Sequence, residues 1–373
     1  MHKPDNERWK PAQLRAHLLS WYDENRRDLP WRHSQDPYSI WVSEIMLQQT
    51  RVAVVVERYE SFLARFPTLI SLALAPEQDV LALWSGLGYY RRARMLHKAA
   101  QFVAENQHGN LPHCAEDLRK LPGIGAYTAA AIASIAHGEH VAVVDGNVER
   151  VLCRLAGWDA TAGRDGAAQR RKVEQLAADL LDRARPGDFN QAMMELGATV
   201  CVPRGPMCGS CPLAAMCATR GEHKRAPRAK MLSREVGHAL CLRKAHGPGA
   251  HGREILLEQR GSTQTVMPGM WELPQLREAT VPEQELRMTV RHAIMQVNYY
   301  VRVRIVFEDD MPKLTVMGGE RRWVPLQDLD SMALTGLARK VLTRARLLVP
   351  ASSRIERREP RRGAELKHAN AIA

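Results

Sequence analysis

From about residue 10 to residue 200, apolar side chains recur three and four positions apart, with polar residues between them. The longest such stretch covers 40–66 and is interrupted on one face by Glu44, Gln48, Gln49, Arg51 and Glu57. The same spacing predicts helices at 80–84, 96–103, 126–135, 148–155 and 173–181, and strand-like alternation is scarce, so this half reads as all-α. After Val236 the pattern changes. Segments 237–242, 254–259, 299–307 and 321–324 read as strands separated by loops with Gly and Pro, and helices are expected at 282–289 and 335–348. The second half is thus a smaller α+β domain. The basic, core-poor stretch 351–373 is expected to be a disordered tail.

Composition narrows the class. The chain has 373 residues, enough for two or three domains, and is 45% hydrophobic. It lacks the roughly 18 consecutive apolar residues of a membrane span, and the polar segment 1–9 does not read as a secretory signal. The expectation is a soluble monomer in a cytoplasm, with no membrane partner. A net charge of +12 favours a polyanionic partner, because basic side chains release counterions from phosphates. Charge alone does not decide the matter, since many basic proteins never touch nucleic acid. The segment 219–235 concentrates it, with Arg220, Lys224, Arg225, Arg228, Lys230 and Arg234, and suits a linker lying near phosphate or simply a solvated connector. The resulting division is 1–218, linker 219–235, second domain 236–350 and tail 351–373.

Seven cysteines in a chain of this kind argue against a disulfide framework. Four of them, Cys201, Cys208, Cys211 and Cys217, follow C-x6-C-x2-C-x5-C. Four thiolates so close in sequence can hold zinc or an iron–sulfur cluster, and with only one tight pair the asymmetric loops suit the bulkier cubane better. Cys114, Cys153 and Cys241 stand apart and read as ordinary thiols.

In L-P-G-I-G-A-Y, Pro122 ends one helix, Gly123 and Gly125 permit a tight turn, and the small residues after Ala126 begin another. Such a turn presents backbone N–H groups at a helix N-terminus, where a phosphate can bind, although a plain helix connection has the same look. Further on, V-A-V-V-D-G-N places Asp145 between a buried run and the next helix. The ordinary role there is an N-cap. The same position favours negative charge and can stabilise a developing oxocarbenium ion.

Together the L-P-G-I-G hairpin, the V-D-G-N-V segment and the four-cysteine loop resemble the helix-hairpin-helix DNA glycosylases that carry a 4Fe–4S cluster. W-V-S-E-I-M-L-Q-Q-T, G-L-G-Y-Y and N-Q-A-M-M-E-L-G are similar to the signatures of MutY-type adenine glycosylases. The resemblance covers nearly all of 9–217. The endonuclease III branch places a nucleophilic lysine where this chain has Tyr127, which excludes a Schiff-base lyase there. After Val236 the chain resembles the Nudix-like C-terminal domain of the same family, without a Nudix catalytic box.

The resemblance implies a monofunctional enzyme acting on double-stranded DNA with adenine opposite 8-oxoguanine or guanine. Glu44 would protonate adenine N7, and Asp145 would stabilise the sugar cation, with Tyr127 and Asn147 assisting. A lone glutamate on such a helix would otherwise be read as surface-facing. Trp31, Arg32 and Gln191 would line the pocket of the flipped base, although Trp31 can equally be core. Gln49 and Tyr89 would wedge into the duplex, flanked by Leu47, Gln48, Thr50 and Leu87; which of Tyr89 and Tyr90 points outward stays open. Two departures stand out. Ile294-Met295-Gln296 occupies the place of the usual Phe-Ser-His triplet that inspects 8-oxoguanine, and Glu149 stands where some members carry a lysine. Competing readings are a glycosylase for thymine or uracil opposite guanine, and a DNA-binding protein without catalysis.

Overall fold

The computed structural model describes residues 10–158, 166–223, 231–245, 252–277, 279, 281–306, 314 and 319–348. Segment 1–9, Lys224, Arg225, Arg228 and Lys230 of the basic stretch, the final residue of the strand expected at 299–307, and the tail 351–373 lie outside the described residues. Two compact units divide at Leu232 and Ser233.

Described residues of the first unit form helices and turns. In order these are α1 (Pro11–Asn25), α2 (Pro37–Leu47), α3 (Val52–Arg65), α4 (Leu69–Ala73), α5 (Glu77–Leu83) and α6 (Arg91–Asn106), then α7 (Ala115–Leu118), α8 (Ala126–His137), α9 (Gly146–Ala156), α10 (Gly166–Leu180) and α11 (Pro186–Thr199). None of the described helices is long and apolar enough to cross a membrane. The apolar stretch 40–66 is two helices, not one. Gln48 caps α2, and Gln49 takes a left-handed backbone with φ of 54°, which no helix continues through.

α2 starts where Asp36 accepts hydrogen bonds from the Tyr38 and Ser39 amides and Pro37 takes the first helical position. From Ile40 through Met46 every side chain is buried, so this is a central helix with no solvent face. It packs on α8, whose Ala129, Ala130 and Ala131 are all buried and permit a close approach. A separate core joins α1, α9, α10 and α11 through Leu14, Leu18, Val151, Leu152, Val173 and Phe189. α11 meets α9 at Gly197, where an alanine Cβ would lie 2.7 Å from Asn147 Cβ.

The second unit is a mixed structure built on one sheet of β1 (Leu232–Lys244), β2 (Arg253–Gln259), β3 (Trp271–Glu272), β4 (Leu286–Ile294), β5 (Val297–Val306) and β6 (Arg321–Pro325), followed by α12 (Gly336–Arg344). Its strand order is β3-β2-β1-β5-β4, with β6 also paired to β2. Residues 237–241 of β1 are buried without alternation because both faces are covered. Leu240 joins Ile255, Val301 and Leu337 of α12 on one face; Ala239 and Cys241 join Leu256 and Val306 on the other.

The helix expected at 282–289 is a correction. Glu283–Glu285 makes one 3-10 turn, and β4 begins at Leu286. Arg287, Thr289 and Arg291 are exposed while Val290 is fully buried, so a two-residue period overrides the helical reading. The helix expected at 335–348 is present as α12, capped by Thr335.

Candidate active site

α2 carries Glu44 into the interior, where only 5% of its surface stays exposed. Tyr127, one residue past the start of α8, donates from Oη to Glu44 Oε2 at 2.5 Å. Burial pushes the Glu44 carboxyl up to about 7, and the nearby Asp145 charge adds to the rise; the Tyr127 hydrogen bond and Arg32 oppose it. Tyr127 is itself raised well above its ordinary value, by burial first and then by the charge of Glu44. The two groups face each other across a protected hydrogen bond.

Asp145 is the N-cap of α9. Its Oδ1 accepts from the Asn147 amide (2.9 Å) and the Val148 amide (2.7 Å), and its Oδ2 accepts from Asn147 Nδ2 at 2.9 Å. The run leading to it is held by buried Asn190 of α11. That side chain accepts from the Val143 amide and donates to Val141 O and Ser134 Oγ. Arg150 ties Asn147 Oδ1 to Gly197 O and Cys201 O.

One cavity of about 190 Å³ brings much of the expected set together. Glu44, Tyr127, Asp145, Asn147, Trp31, Arg32, Gln191, Leu47 and Thr50 all line it. Gln48, Gln49, Leu87, Tyr89, Gly123 and Gly125 are not among its lining residues. Trp31 is nearly buried against the Tyr59 ring and also lines the cavity.

Arg27 and Glu195 also line this wall and were not singled out in the sequence. Arg27 grips Glu195 with its guanidinium at 2.7 and 2.8 Å and with its backbone amide at 3.2 Å, and Arg32 adds a fourth hydrogen bond at 2.7 Å. Burial alone would raise the Glu195 carboxyl, yet these bonds hold it down at about 2. Glu195 lies inside N-Q-A-M-M-E-L-G, but nothing in that spacing reveals its partners more than 160 positions earlier.

Outside the cavity, Tyr89 is 53% exposed and Tyr90 only 3%, so Tyr89 is the outward ring. Both Gln49 and Tyr89 are exposed non-glycine residues with positive φ, 54° and 47°. Gly123 makes the hairpin turn at φ of 76°, and an added Cβ would lie 2.6 Å from Met95. Gly125 caps α8 with no side-chain hydrogen bond on the first turn, and it is exposed. The amides that follow it therefore remain open to an anion.

Cys201, Cys208, Cys211 and Cys217 line one small cavity with Val200, Met207 and Arg154. Arg154 donates to Cys201 Sγ at 3.4 Å, and the Arg220 amide donates to Cys217 Sγ at 3.5 Å. Among the described residues, no three His, Cys, Asp or Glu side chains are gathered for a single metal ion. The donor chemistry, four sulfurs around a shared space with N–H groups directed at two of them, fits a thiolate-held cluster.

The family model of the HhH-GPD superfamily of base excision DNA repair proteins matches residues 42–181, which include Glu44, the hairpin and Asp145. A thermostable thymine-DNA glycosylase of known structure superposes with a TM-score of 0.51 at 28% identity, over 58% of this chain and 97% of that one. Fold and site thus define a base-excision-repair protein of the helix-hairpin-helix class. Among sequence relatives, the adenine DNA glycosylase of Homo sapiens is 37% identical over 402 aligned residues, which span 88% of this chain and 73% of the human protein. That of Mycolicibacterium smegmatis is 45% identical over 197 residues, 52% of this chain and 66% of the relative. With the Rattus norvegicus enzyme the match is 50% identical and spans 41% of the relative. The chain belongs to the adenine DNA glycosylase family.

Proposed function

We propose that the protein is a monofunctional adenine DNA glycosylase that releases adenine mispaired with 8-oxoguanine or guanine and leaves an abasic site. The observation that carries this reading is Glu44, a buried carboxyl raised to about 7 in the same cavity as Asp145. A carboxyl of that kind holds a proton at neutral pH and can still give it up.

The adenine leaves the duplex and enters the cavity between Trp31, Arg32 and Gln191. Glu44 then protonates N7, and the bond from the sugar C1′ to N9 breaks with its electron pair passing to the base. Asp145, held by the amides of α9, balances the positive sugar until water adds to C1′ and releases a proton. Asn147 orients Asp145, and Tyr127 orients Glu44. Tyr127 in place of a lysine is consistent with an enzyme that does not form a Schiff base. Gln49 and Tyr89 fill the gap left in the helix, with Leu47, Gln48, Thr50 and Leu87 around them. Gly123 and Gly125 bring backbone amides to a DNA phosphate.

Cys201, Cys208, Cys211 and Cys217 would hold a 4Fe–4S cluster, which would supply structural anchorage for the loop that carries Arg204. The second unit is read as a Nudix-like mismatch-recognition domain. Ile294 pairs with Val297, so Met295 and Gln296 form the tip of the β4–β5 hairpin, with Met295 77% exposed. That placement suits a probe of the opposite base, in which Gln296 supplies the hydrogen bond. The protein is read as a monomer at work in a bacterial cytoplasm.

Single-turnover cleavage of duplexes with A opposite 8-oxoguanine, A opposite guanine and T opposite guanine tests the reading. Release is expected from the first two. No adenine from either overturns it, and release from the third alone favours a thymine enzyme.

A further inference from the structure

Arg92, the second residue of α6, lies half-buried between two chain segments that the sequence places about 40 positions apart. Its Nη1 donates to Ile45 O (2.7 Å), Met46 O (3.0 Å) and Gln48 O (2.5 Å), the carbonyls at the end of α2 that have no partner within the helix. Its Nη2 donates to Leu87 O (3.0 Å), Gly88 O (3.1 Å) and Thr50 Oγ1 (3.0 Å). Thr50 Oγ1 approaches Leu87 O in turn, at 3.3 Å. The guanidinium lies 5.4 Å from the Trp84 ring centre and 5.6 Å from that of Tyr89. Gln49 and Tyr89, each next to a segment that Arg92 grips, hold backbone conformations that non-glycine residues rarely adopt. Such conformations persist only where surrounding contacts over-determine them, and here Arg92 supplies contacts to both segments, with Trp84 Nε1 adding one to Gly88 O at 3.1 Å.

We propose that Arg92 is the positioning residue of the duplex-opening wedge, tying the end of α2 to the loop before α6 so that Gln49 and Tyr89 enter DNA as one unit at a set distance from Glu44. This role rests on the wedge assignment made above. Arginine suits it because one planar fork reaches six acceptors on two segments; a lysine ammonium has three donors and no plane. Burial lowers Arg92 to about 10, which still leaves it cationic at neutral pH.

The test compares adenine release from two substrates under single-turnover conditions. One is a fully paired duplex with a single A opposite 8-oxoguanine; the other presents the same adenine inside a short unpaired bubble. Arg92→Lys is expected to slow release from the paired duplex by about tenfold or more, as a loosened geometry does. On the bubble, where little unstacking remains to be done, the loss is expected to stay below about threefold. The fluorescence rise of 2-aminopurine at the target position, which reports flipping, falls in parallel. Equal slowing on both substrates, or no slowing on either, overturns the proposal. If Arg92→Lys does not fold, Arg92→Gln, which keeps two donors in one plane, must show the same bias toward the paired duplex. A wild type that releases adenine from neither substrate removes the glycosylase reading itself, and this role with it.

Discussion

Glu44 and Asp145 are both carboxylates, and their surroundings give them different electrostatic settings. Glu44 sits on a helix that is buried on every side, and burial raises it to about 7. Asp145 sits in the positive end of a helix and accepts three N–H groups. The rate of adenine release should therefore be highest where Glu44 is protonated and fall about tenfold per unit once pH rises past about 7. Glu44→Gln should cost roughly 10²–10⁴-fold in that rate with DNA affinity nearly kept. The same raised carboxyl bears on stability. The folded state binds the Glu44 proton more tightly than the unfolded chain, so stability is fully present below about 4.5 and declines as pH climbs toward 7. Glu44→Gln should accordingly be more stable than wild type at pH 8, by up to roughly 3 kcal/mol in denaturant unfolding, with the gap closing in acid. Tyr127→Phe removes the one hydrogen bond that holds the Glu44 carboxyl down. Its pH–rate profile should shift toward higher pH, and an unchanged alkaline limb would argue against the pairing.

At the scale of elements, the site depends on how three helices approach one another. α11 presses Gly197 against Asn147 and holds the 141–144 run through Asn190, which together set where Asp145 stands. Gly197→Ala should push α11 away from α9, costing about 1–3 kcal/mol in denaturant unfolding and slowing adenine release as well. These elements were readable to different degrees. Most of the longer helices of the first unit follow from regular apolar spacing, though α1 and α11 were not singled out by it, and the cap at Asp145 follows from its place before Val148. The helix expected at 282–289 did not survive, because a strand of this sheet alternates exposed and buried residues in a segment short enough to mimic a helical face. The break in 40–66 was equally hidden, since it comes from a left-handed backbone at Gln49 rather than from a glycine or proline.

For the whole molecule, a net charge of +12 on a glycosylase implies that DNA affinity is largely electrostatic. Its dissociation constant should weaken steeply and log-linearly as salt rises, and a flat dependence measured by titration would contradict phosphate-dominated binding. Four cysteines around one cavity lead to a second expectation. Protein purified without oxygen should carry about four irons and matching acid-labile sulfide per chain, and zinc in their place would favour the other reading.

Motifs that are contiguous in the chain were sufficient to indicate the family, the all-α first half, the hairpin, the cysteine loop and the identity of Glu44 and Asp145. The all-α half, the hairpin and the cysteine loop rest on residues close in sequence, where spacing carries the information. The family and the roles read for Glu44 and Asp145 rest on the resemblance of those motifs to known glycosylases, since spacing alone would leave Glu44 on the surface. Burial and long-range pairing were a different matter. That Glu44 faces the interior, that Tyr89 rather than Tyr90 points outward, that Arg27 and Arg32 grip Glu195, and that Arg92 staples two distant loops all depend on surfaces meeting across the fold. The desolvation that raises Glu44 and the bonds that restrain Glu195 exist only after those surfaces have closed, so they belong to the tertiary structure.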